Sequence, residues 1–253
     1  MSYSAAILIV IFAGAASALG ASILDRILTR ESRRRHHEVG SQIFQLIGIM
    51  FSVLLAFVFS EVWSEYNTAA QAIDTECDAL HSAAVLADTL PRSDARRINT
   101  AILGYTRFVR QQEWPAMRGG LIGIRSIEEM RFPLNVAALA GSGDVKAQIL
   151  GLMAQAQAAR ETRLFQAGLG MPPAMWVMVI AIGGILILFV LVSGTQPPGT
   201  VILAASFAAS IAMVLVLVRM LDYPFQGALA LDDGRFRLVA HQTEILLQGE
   251  QQN

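Results

Sequence analysis

Three side chains of one segment have the types and spacing of a metal site. Cys77 and His81 are four residues apart, which places them on one face of a helix, and Glu76 is adjacent to Cys77. Thiolate, imidazole and carboxylate groups are the ligands that Zn²⁺ takes in proteins. The same spacing also fits a helix seam in which Cys77 is an apolar contact, and that interpretation needs no metal. We therefore expect no metal site and no other cofactor.

The sequence carries none of the common catalytic motifs. It has no phosphate-binding glycine loop, no nucleophile elbow and no paired-histidine zinc motif. Glu113 and Trp114 are adjacent, and we expect the carboxylate to form an ion pair and the indole to pack. The sequence therefore predicts that the protein is not an enzyme.

A stripe of small and polar residues follows one apolar segment. Its members are Gln45, Gly48, Ser52, Ala56 and Ser60, with Glu61 at the end. On a membrane helix, polar side chains face protein or water rather than lipid, and small ones let helices approach closely. Two interpretations are open: a packing face within one chain, or the lining of a pore. A pore would require an oligomer, and Glu61 at its mouth would favour cations.

Four apolar segments supply the elements that position this stripe. They cover residues 5–24, 43–63, 174–193 and 201–221, each with about the 20 residues that a helix needs to cross a bilayer. In lipid the backbone must be hydrogen-bonded internally, so each segment is expected to be a helix. Charged residues make up only 15% of the chain, below the usual share for a soluble domain. The sequence predicts an all-α integral membrane protein with four transmembrane helices.

An all-helical extramembrane domain is expected between the second and third of these helices. The predicted division is residues 1–63 for transmembrane helices 1 and 2 with their basic connection, 64–172 for the extramembrane domain, 173–221 for transmembrane helices 3 and 4, and 222–253 for an interfacial turn and an amphipathic C-terminal helix.

The second transmembrane helix is expected to continue into this domain. Residues 49–90 contain no glycine or proline, so the helix should run from Ile43 to about Asp88. Its outer part has a seam of small and apolar residues at Tyr66, Ala70, Ile73, Cys77, Leu80, Ala84 and Ala87. Glu76 is placed at the edge of this seam.

Further helices are predicted along the domain and the C-terminal segment. They cover residues 94–113, ended by Glu113–Trp114–Pro115, a short stretch near 121–131, residues 144–166 and residues 233–248, with a loop over 133–143. Arg160 and Arg163 of the 144–166 helix are expected to face Glu65 or Asp74. Such exposed ion pairs typically contribute about 0.2–1 kcal/mol.

The loop at residues 25–41 sets the expected orientation. It contains five arginines, and short basic loops stay in the cytoplasm. The large domain is therefore expected outside the cytoplasm, in a multi-pass protein of the bacterial cytoplasmic membrane. The arginines and histidines at Arg33–His37 either only set this topology or also bind anionic lipid headgroups. A net charge of −1 argues against a nucleic-acid partner.

Several short segments together resemble a known family. They are Leu55–Ala56–Phe57 with Trp63 and Tyr66, Glu76, Glu113–Trp114–Pro115, Arg160 with Arg163–Leu164, Pro173 with Trp176, and Asp222–Tyr223–Pro224–Phe225–Gln226–Gly227. Their order and spacing over residues 43–227 are similar to the bacterial bestrophin-like membrane proteins, a domain class without an assigned activity.

The resemblance implies a comparison with the bestrophins, which are pentameric anion channels. In those proteins a proline–phenylalanine turn follows the fourth membrane helix, and an acidic run helps bind calcium. Asp222 and Pro224–Phe225 match that turn here, but the acidic run is reduced to Asp232–Asp233. Calcium takes six to eight oxygen ligands, so we expect no calcium site of that kind. Bestrophins also keep their helical domain in the cytoplasm, opposite to the orientation expected here.

The sequence and the resemblance together suggest an oligomeric ion channel or pore, lined by the second transmembrane helix. The expected partners are the lipid bilayer, other copies of the chain in a homo-oligomer, and ions. The alternative is a non-conducting membrane sensor or assembly protein whose outer helical domain binds a partner.

Overall fold

The fold is all-α, as predicted. A computed structural model describes residues 1–27, 30–120, 144–193 and 197–252, and no strand occurs in these ranges. The helices are α1 (Tyr3–Ile27), α2 (Arg30–Ala87), α3 (Arg92–Phe108), a π-helical turn (Val109–Glu113), α4 (Trp114–Arg118), α5 (Asp144–Gly168), α6 (Pro173–Ser193), α7 (Pro197–Leu221) and α8 (Gly234–Gln252). The helix and loop predicted within 121–143 lie outside the described residues.

Four of the helices are long and apolar enough to cross a membrane. These are Tyr3–Ile27, Gly40–Ala87, Pro173–Ser193 and Gly199–Leu221. Gly40–Ala87 has 48 residues, more than twice what a bilayer requires. The prediction of four transmembrane helices is confirmed, and α2 begins earlier than expected, at Arg30.

The chain forms two compact units. Unit 1 consists of residues 1–64 and 170–222, and unit 2 of residues 65–169 and 223–253. The first part of α2 therefore belongs to unit 1 and the second part to unit 2.

Unit 1 is packed through small residues. The hydroxyl of Ser17 on α1 donates a hydrogen bond to the carbonyl of Ala204 on α7, at 3.0 Å. A Cβ atom at Gly14 would lie 3.4 Å from the carbonyl oxygen of Ala205. Such close backbone approach is how membrane helices associate, since lipid gives no hydrophobic drive between them. Large apolar side chains such as Phe12 point outward.

Unit 2 has a conventional hydrophobic core that includes much of the predicted seam of α2. Ile73, Cys77, Leu80, Ala84 and Ala87 are buried there. They pack with residues of the other helices of the unit, including Ile98, Ile102, Ile149, Ala156, Phe236 and Val239. Each lies on the apolar face expected from its helix period, so the periodicity located the core.

The helix predicted to end at Glu113–Trp114–Pro115 continues instead to Arg118 through the π-helical turn. Proline has no N–H and its ring clashes with the carbonyl four residues earlier in an α-helix. Here the N–H of Trp114 donates to the carbonyl of Val109, five residues back. The wider turn accommodates Pro115 without ending the helix, so the predicted stop was wrong.

Candidate functional site

Four charged side chains are buried together in the core of unit 2. Glu76 of α2, Glu113 of the π-helical turn, and Arg160 and Arg163 of α5 are each at most 4% exposed. We call these four residues the buried charge cluster. Two carboxylates and two guanidinium groups make it neutral when all are ionised, which is the condition for keeping charges inside a protein.

Arg163 is the centre of the cluster. Its Nε donates to Glu76 Oε2 at 2.8 Å, and its Nη2 donates to Glu76 Oε1 at 3.1 Å and to Glu113 Oε2 at 2.9 Å. Burial alone would lower the pKa of Arg163, but the charge and hydrogen bonds of Glu76 raise it above the ordinary value. The guanidinium therefore stays charged and joins α2, α5 and the π-helical turn.

Arg160 completes the cluster from one helical turn earlier. Its Nε donates to Glu113 Oε1 at 3.0 Å, and its Nη2 contacts the same oxygen. Glu113 therefore forms the ion pair predicted for it. The expected pairing of Arg163 with Glu65 or Asp74, and that of Arg160 with Asp74, was wrong, because both arginines are fully buried and bond to carboxylates of the core. Asp74 lies on the surface and pairs with Arg235 at 2.8 Å.

Aromatic and sulfur groups surround the cluster. The Arg163 Cζ lies 5.8 Å from the ring centroid of Trp114 and 5.3 Å from that of Phe236, within the range of a cation–π contact. Its Nη1 also donates to the sulfur of Met117 at 3.4 Å. Trp114 packs edge-on against Phe225. This contact agrees with the expectation that its indole packs.

Tyr105 is a polar contact of the buried charge cluster that the sequence did not predict. Its hydroxyl donates to Glu76 Oε1. Burial first, and then the negative charge of Glu76, raise the pKa of Tyr105 well above its ordinary value. No motif in the sequence indicates a partner for Tyr105. The position of Arg160 and Arg163 on the same face of α5 as Ile149 and Ala156 was the available signal for burial.

The remaining residues of the family motif lie elsewhere. Asp222 of unit 1 is buried and accepts a hydrogen bond from the Met171 N–H at 2.6 Å, just before α6 begins. Pro224 is buried in the turn after α7, and Gly227 has a φ of +88°, which favours glycine. Trp63 and Pro115 are exposed.

Cys77 and His81 lie in different surroundings. Cys77 is 1% exposed in the core of unit 2, and His81 is half-buried. Among the described residues, no group of three or more histidine, cysteine, aspartate or glutamate side chains could hold an ion. The seam interpretation of Cys77 accounts for its position.

The stripe on α2 is on the surface of unit 1. Gln45, Ser52, Ala56, Ser60 and Glu61 are exposed, and Gly48 is half-buried. The Ser52 hydroxyl donates to the Gly48 carbonyl at 2.8 Å, so it is satisfied within its own helix. Five of the six stripe residues thus lie on the surface of α2.

Comparisons with known proteins agree with this architecture. The model of the Bestrophin-like domain matches residues 11–236. No curated protein matches the chain. Among solved structures, one variant of a bacterial bestrophin homologue from Klebsiella pneumoniae has a TM-score of 0.71 at 15% identity, covering 94% of this chain and 98% of that one. A second variant of the homologue has a TM-score of 0.69 at 16% identity, covering 94% and 99%.

At this identity the structures show a shared fold, whereas the domain model covers most of the chain and shows the family. The two buried arginines, the buried glutamates and the turn after α7 are therefore features of a membrane protein that belongs to the Bestrophin-like family.

Proposed function

We propose that several copies of this chain assemble into an ion-conducting pore lined by α2. The observation that carries the proposal is the exposure of five of the six stripe residues, from Gln45 to Glu61, on a membrane-spanning helix. Polar side chains facing lipid are unfavourable, so this face calls for water or another protein chain. Family membership supports the proposal, because bestrophins are known as ion channels.

Exposure also bears on the other interpretation of the stripe. A packing face within one chain would be covered by another helix of unit 1, yet five of the six residues are exposed in the single chain. Contact between copies of the chain would cover them or place them around a water-filled path. Glu61 at the end of the stripe gives such a path a negative mouth, which favours cations.

Ion flux into liposomes, measured beside size-exclusion chromatography, tests the pore. Ser52→Leu should abolish flux and leave the assembly intact, since an apolar side chain narrows and dewets the path. Ser210→Leu is the matched control: Ser210 is an exposed serine of α7 whose hydroxyl donates to the Ser206 carbonyl at 2.8 Å. It should conduct like the parent. A well-folded Ser52→Leu with unchanged flux would contradict the proposal.

Selectivity gives a second readout of the same model. Glu61→Gln should lower the preference for cations over anions, measured as the reversal potential in asymmetric salt. Glu161→Gln makes the same charge change on an exposed residue of α5 and should leave the preference unchanged. An equal preference for cations over anions in the two variants would show that Glu61 does not line the ion path.

The exposed apolar side chains of unit 2 favour a second candidate function, a non-conducting sensor or assembly protein. Val85, Phe165, Leu238 and Ile245 are between 46% and 64% exposed. Surface of this kind can bind a partner protein. A folded monomer in detergent that gives no flux in liposomes would favour this candidate over the pore.

The proposed orientation places the 64–172 domain outside the cytoplasm of a bacterial cell. In a Cys77→Ser background, Ser93→Cys should react with a membrane-impermeant maleimide when only the outer barrier is permeabilised. Ser32→Cys, in the basic loop, should stay unlabelled until the cytoplasmic membrane is opened. The reverse pattern would show the bestrophin orientation.

A further inference from the structure

Unit 1 contains a cleft of about 630 Å³ between α2, α6 and α7. Phe44, Leu186 and Phe207 contribute to its apolar wall, and Ser41, Gln45 and Ser52 contribute its polar groups. The volume is in the range of small-molecule sites, about 300–1,000 Å³. In a bilayer such a cleft does not stay empty, and a mostly apolar lining is a poor site for water.

The length of the cleft indicates the shape of its occupant. Its lining on α2 runs from Ser41 to Ser52, and eleven helical rises of 1.5 Å give about 16 Å along the axis. A hydrocarbon core is about 30 Å thick, so the cleft extends over the depth of about one leaflet. An acyl chain of one lipid matches this depth.

The basic residues near the start of α2 indicate the headgroup of the bound lipid. Arg33, Arg34 and Arg35 precede Ser41 on the same helix by six to eight residues, or about 9–12 Å along the axis. Clusters of basic residues at the end of a membrane helix attract anionic lipid headgroups. The polar Ser41 and Gln45 lie at the same end of the cleft lining.

We infer that the cleft binds one anionic phospholipid, with an acyl chain against the apolar wall of Phe44, Leu186 and Phe207 and the phosphate near the arginine-rich start of α2. Lipid binding does not depend on conduction. A consequence that does rest on the proposed function is regulation: Gln45, Gly48 and Ser52 belong to both the cleft and the stripe, so a bound chain would reduce the width open to ions at that level.

Native mass spectrometry of the purified full chain tests the binding. The protein is exchanged into mixed micelles that contain either phosphatidylglycerol or phosphatidylcholine, and the lipid retained per protomer is counted. We expect one phosphatidylglycerol per protomer and about tenfold less phosphatidylcholine, which corresponds to about 1.4 kcal/mol. Equal retention of the two lipids would overturn the proposal.

A pair of glycine variants tests the location. A Cβ at Gly48 and one at Gly184 both meet nothing within 4 Å, so either Gly→Leu change adds bulk without a clash at that atom. Gly48 lines the cleft and Gly184 does not. Gly48→Leu should lose the retained phosphatidylglycerol, and Gly184→Leu should keep it. If both keep it, the lipid binds elsewhere and the proposal fails.

A second variant and a competition with phosphate test the same site. Should Gly48→Leu fail to fold, Gln45→Glu, which places a negative charge at the headgroup end of the cleft, should lower phosphatidylglycerol retention, and unchanged retention would contradict the site. Inorganic phosphate added to the micelles should not displace the lipid or reproduce its effect on the thermal midpoint. Full displacement by phosphate would mean that the acyl chain contributes nothing. Because no arm measures flux, failure here is distinct from failure of the proposed channel.

Discussion

The two units accommodate buried polar groups in opposite ways. Within the described residues, the buried polar side chains of unit 1 are Ser17, Ser193, Thr200 and Asp222, three hydroxyls and one carboxylate. Unit 2 instead buries two carboxylates and two guanidinium groups in the middle of its core. The apolar unit therefore has the fewer buried charges, and the polar domain has the more highly charged interior.

This difference indicates which interactions stabilise each unit. Unit 1 is held by close contacts of small residues, which tolerate no added bulk. In unit 2 the hydrophobic core stabilises the fold, while a buried ion network often contributes little net stability but fixes which groups meet. Removing one member of that network leaves a charge without its partner, so the two units should fail under different substitutions.

The largest effect is expected from Arg163→Ala. The change leaves Glu76 and Glu113 without their shared cation and should cost about 3–5 kcal/mol in the free energy of unfolding. Arg107→Ala breaks an exposed 3.0 Å pair with Glu244 in the same unit and should cost under about 1 kcal/mol. Thermal unfolding in detergent measures both. Equal small losses would remove the contrast between the units.

A proline in the second part of α2 should act almost as strongly. Ile73→Pro removes an interior hydrogen bond and should cost about 3 kcal/mol or more. The control is Arg92→Pro at the first position of α3, where Pro91 already has φ −53° and ψ 141° and proline is well tolerated. Expression level and thermal midpoint should fall only for Ile73→Pro. If both variants behave like the parent, unit 2 does not depend on a continuous α2.

Tyr105→Phe tests how much the hydrogen bond from the Tyr105 hydroxyl to the buried charge cluster stabilises the fold. Loss of a hydrogen bond to a charged group should cost about 1.5–3 kcal/mol at pH 7. An unfolded tyrosine loses its proton near pH 10, whereas the raised pKa keeps Tyr105 protonated in the folded chain. Above about pH 10 the folded state thus binds more protons than the unfolded state, and its stability falls as pH rises.

The phenylalanine variant has no hydroxyl that titrates at this position. Its free energy of unfolding should therefore fall less steeply between about pH 10 and 11. Unfolding midpoints of the parent and the variant across that range provide the measurement. Parallel slopes would show that Tyr105 titrates normally and is not sealed in the core.

The smallest expected effect probes unit 1. A Cβ at Gly183 would lie 3.4 Å from Ile211 and 3.6 Å from Phe51, while one at the adjacent Gly184 meets nothing within 4 Å. Gly183→Leu should therefore overpack the helices and cost about 1–3 kcal/mol. Gly184→Leu should be close to neutral. A thermal midpoint that drops equally in both would show that unit 1 is not held by close packing.

Most helices followed from the sequence because hydropathy and periodicity are local signals. The apolar runs located four membrane-spanning helices, and seam residues such as Ile73 and Leu80 are in the core of unit 2. The membership of Glu113, Arg160 and Arg163 in one motif came from the family resemblance. Their contacts did not, since a charged residue is assigned to the surface unless its partner is known.

Two errors have the same physical origin. Glu76 was placed at the edge of a seam and is fully buried, and Arg163 was expected to pair with a surface carboxylate but pairs with Glu76 in the core. The partners of both come from other helices, 29 to 87 residues away in sequence. Nothing local specifies such a pairing, whereas an apolar contact needs only a suitable face.

The π-helical turn at Val109–Glu113 has a consequence for how the chain tolerates insertion and deletion. Tyr105 and Trp114 are nine residues apart, and at 3.6 residues per turn a regular α-helix would place them on opposite sides. Both are buried, at 4% and 3% exposure, because the wider turn changes the helical phase between them. The number of residues between Tyr105 and Trp114 therefore determines whether both side chains face the core. Deleting one residue from the turn would keep every side chain of the cluster in the sequence while rotating part of it out of the core.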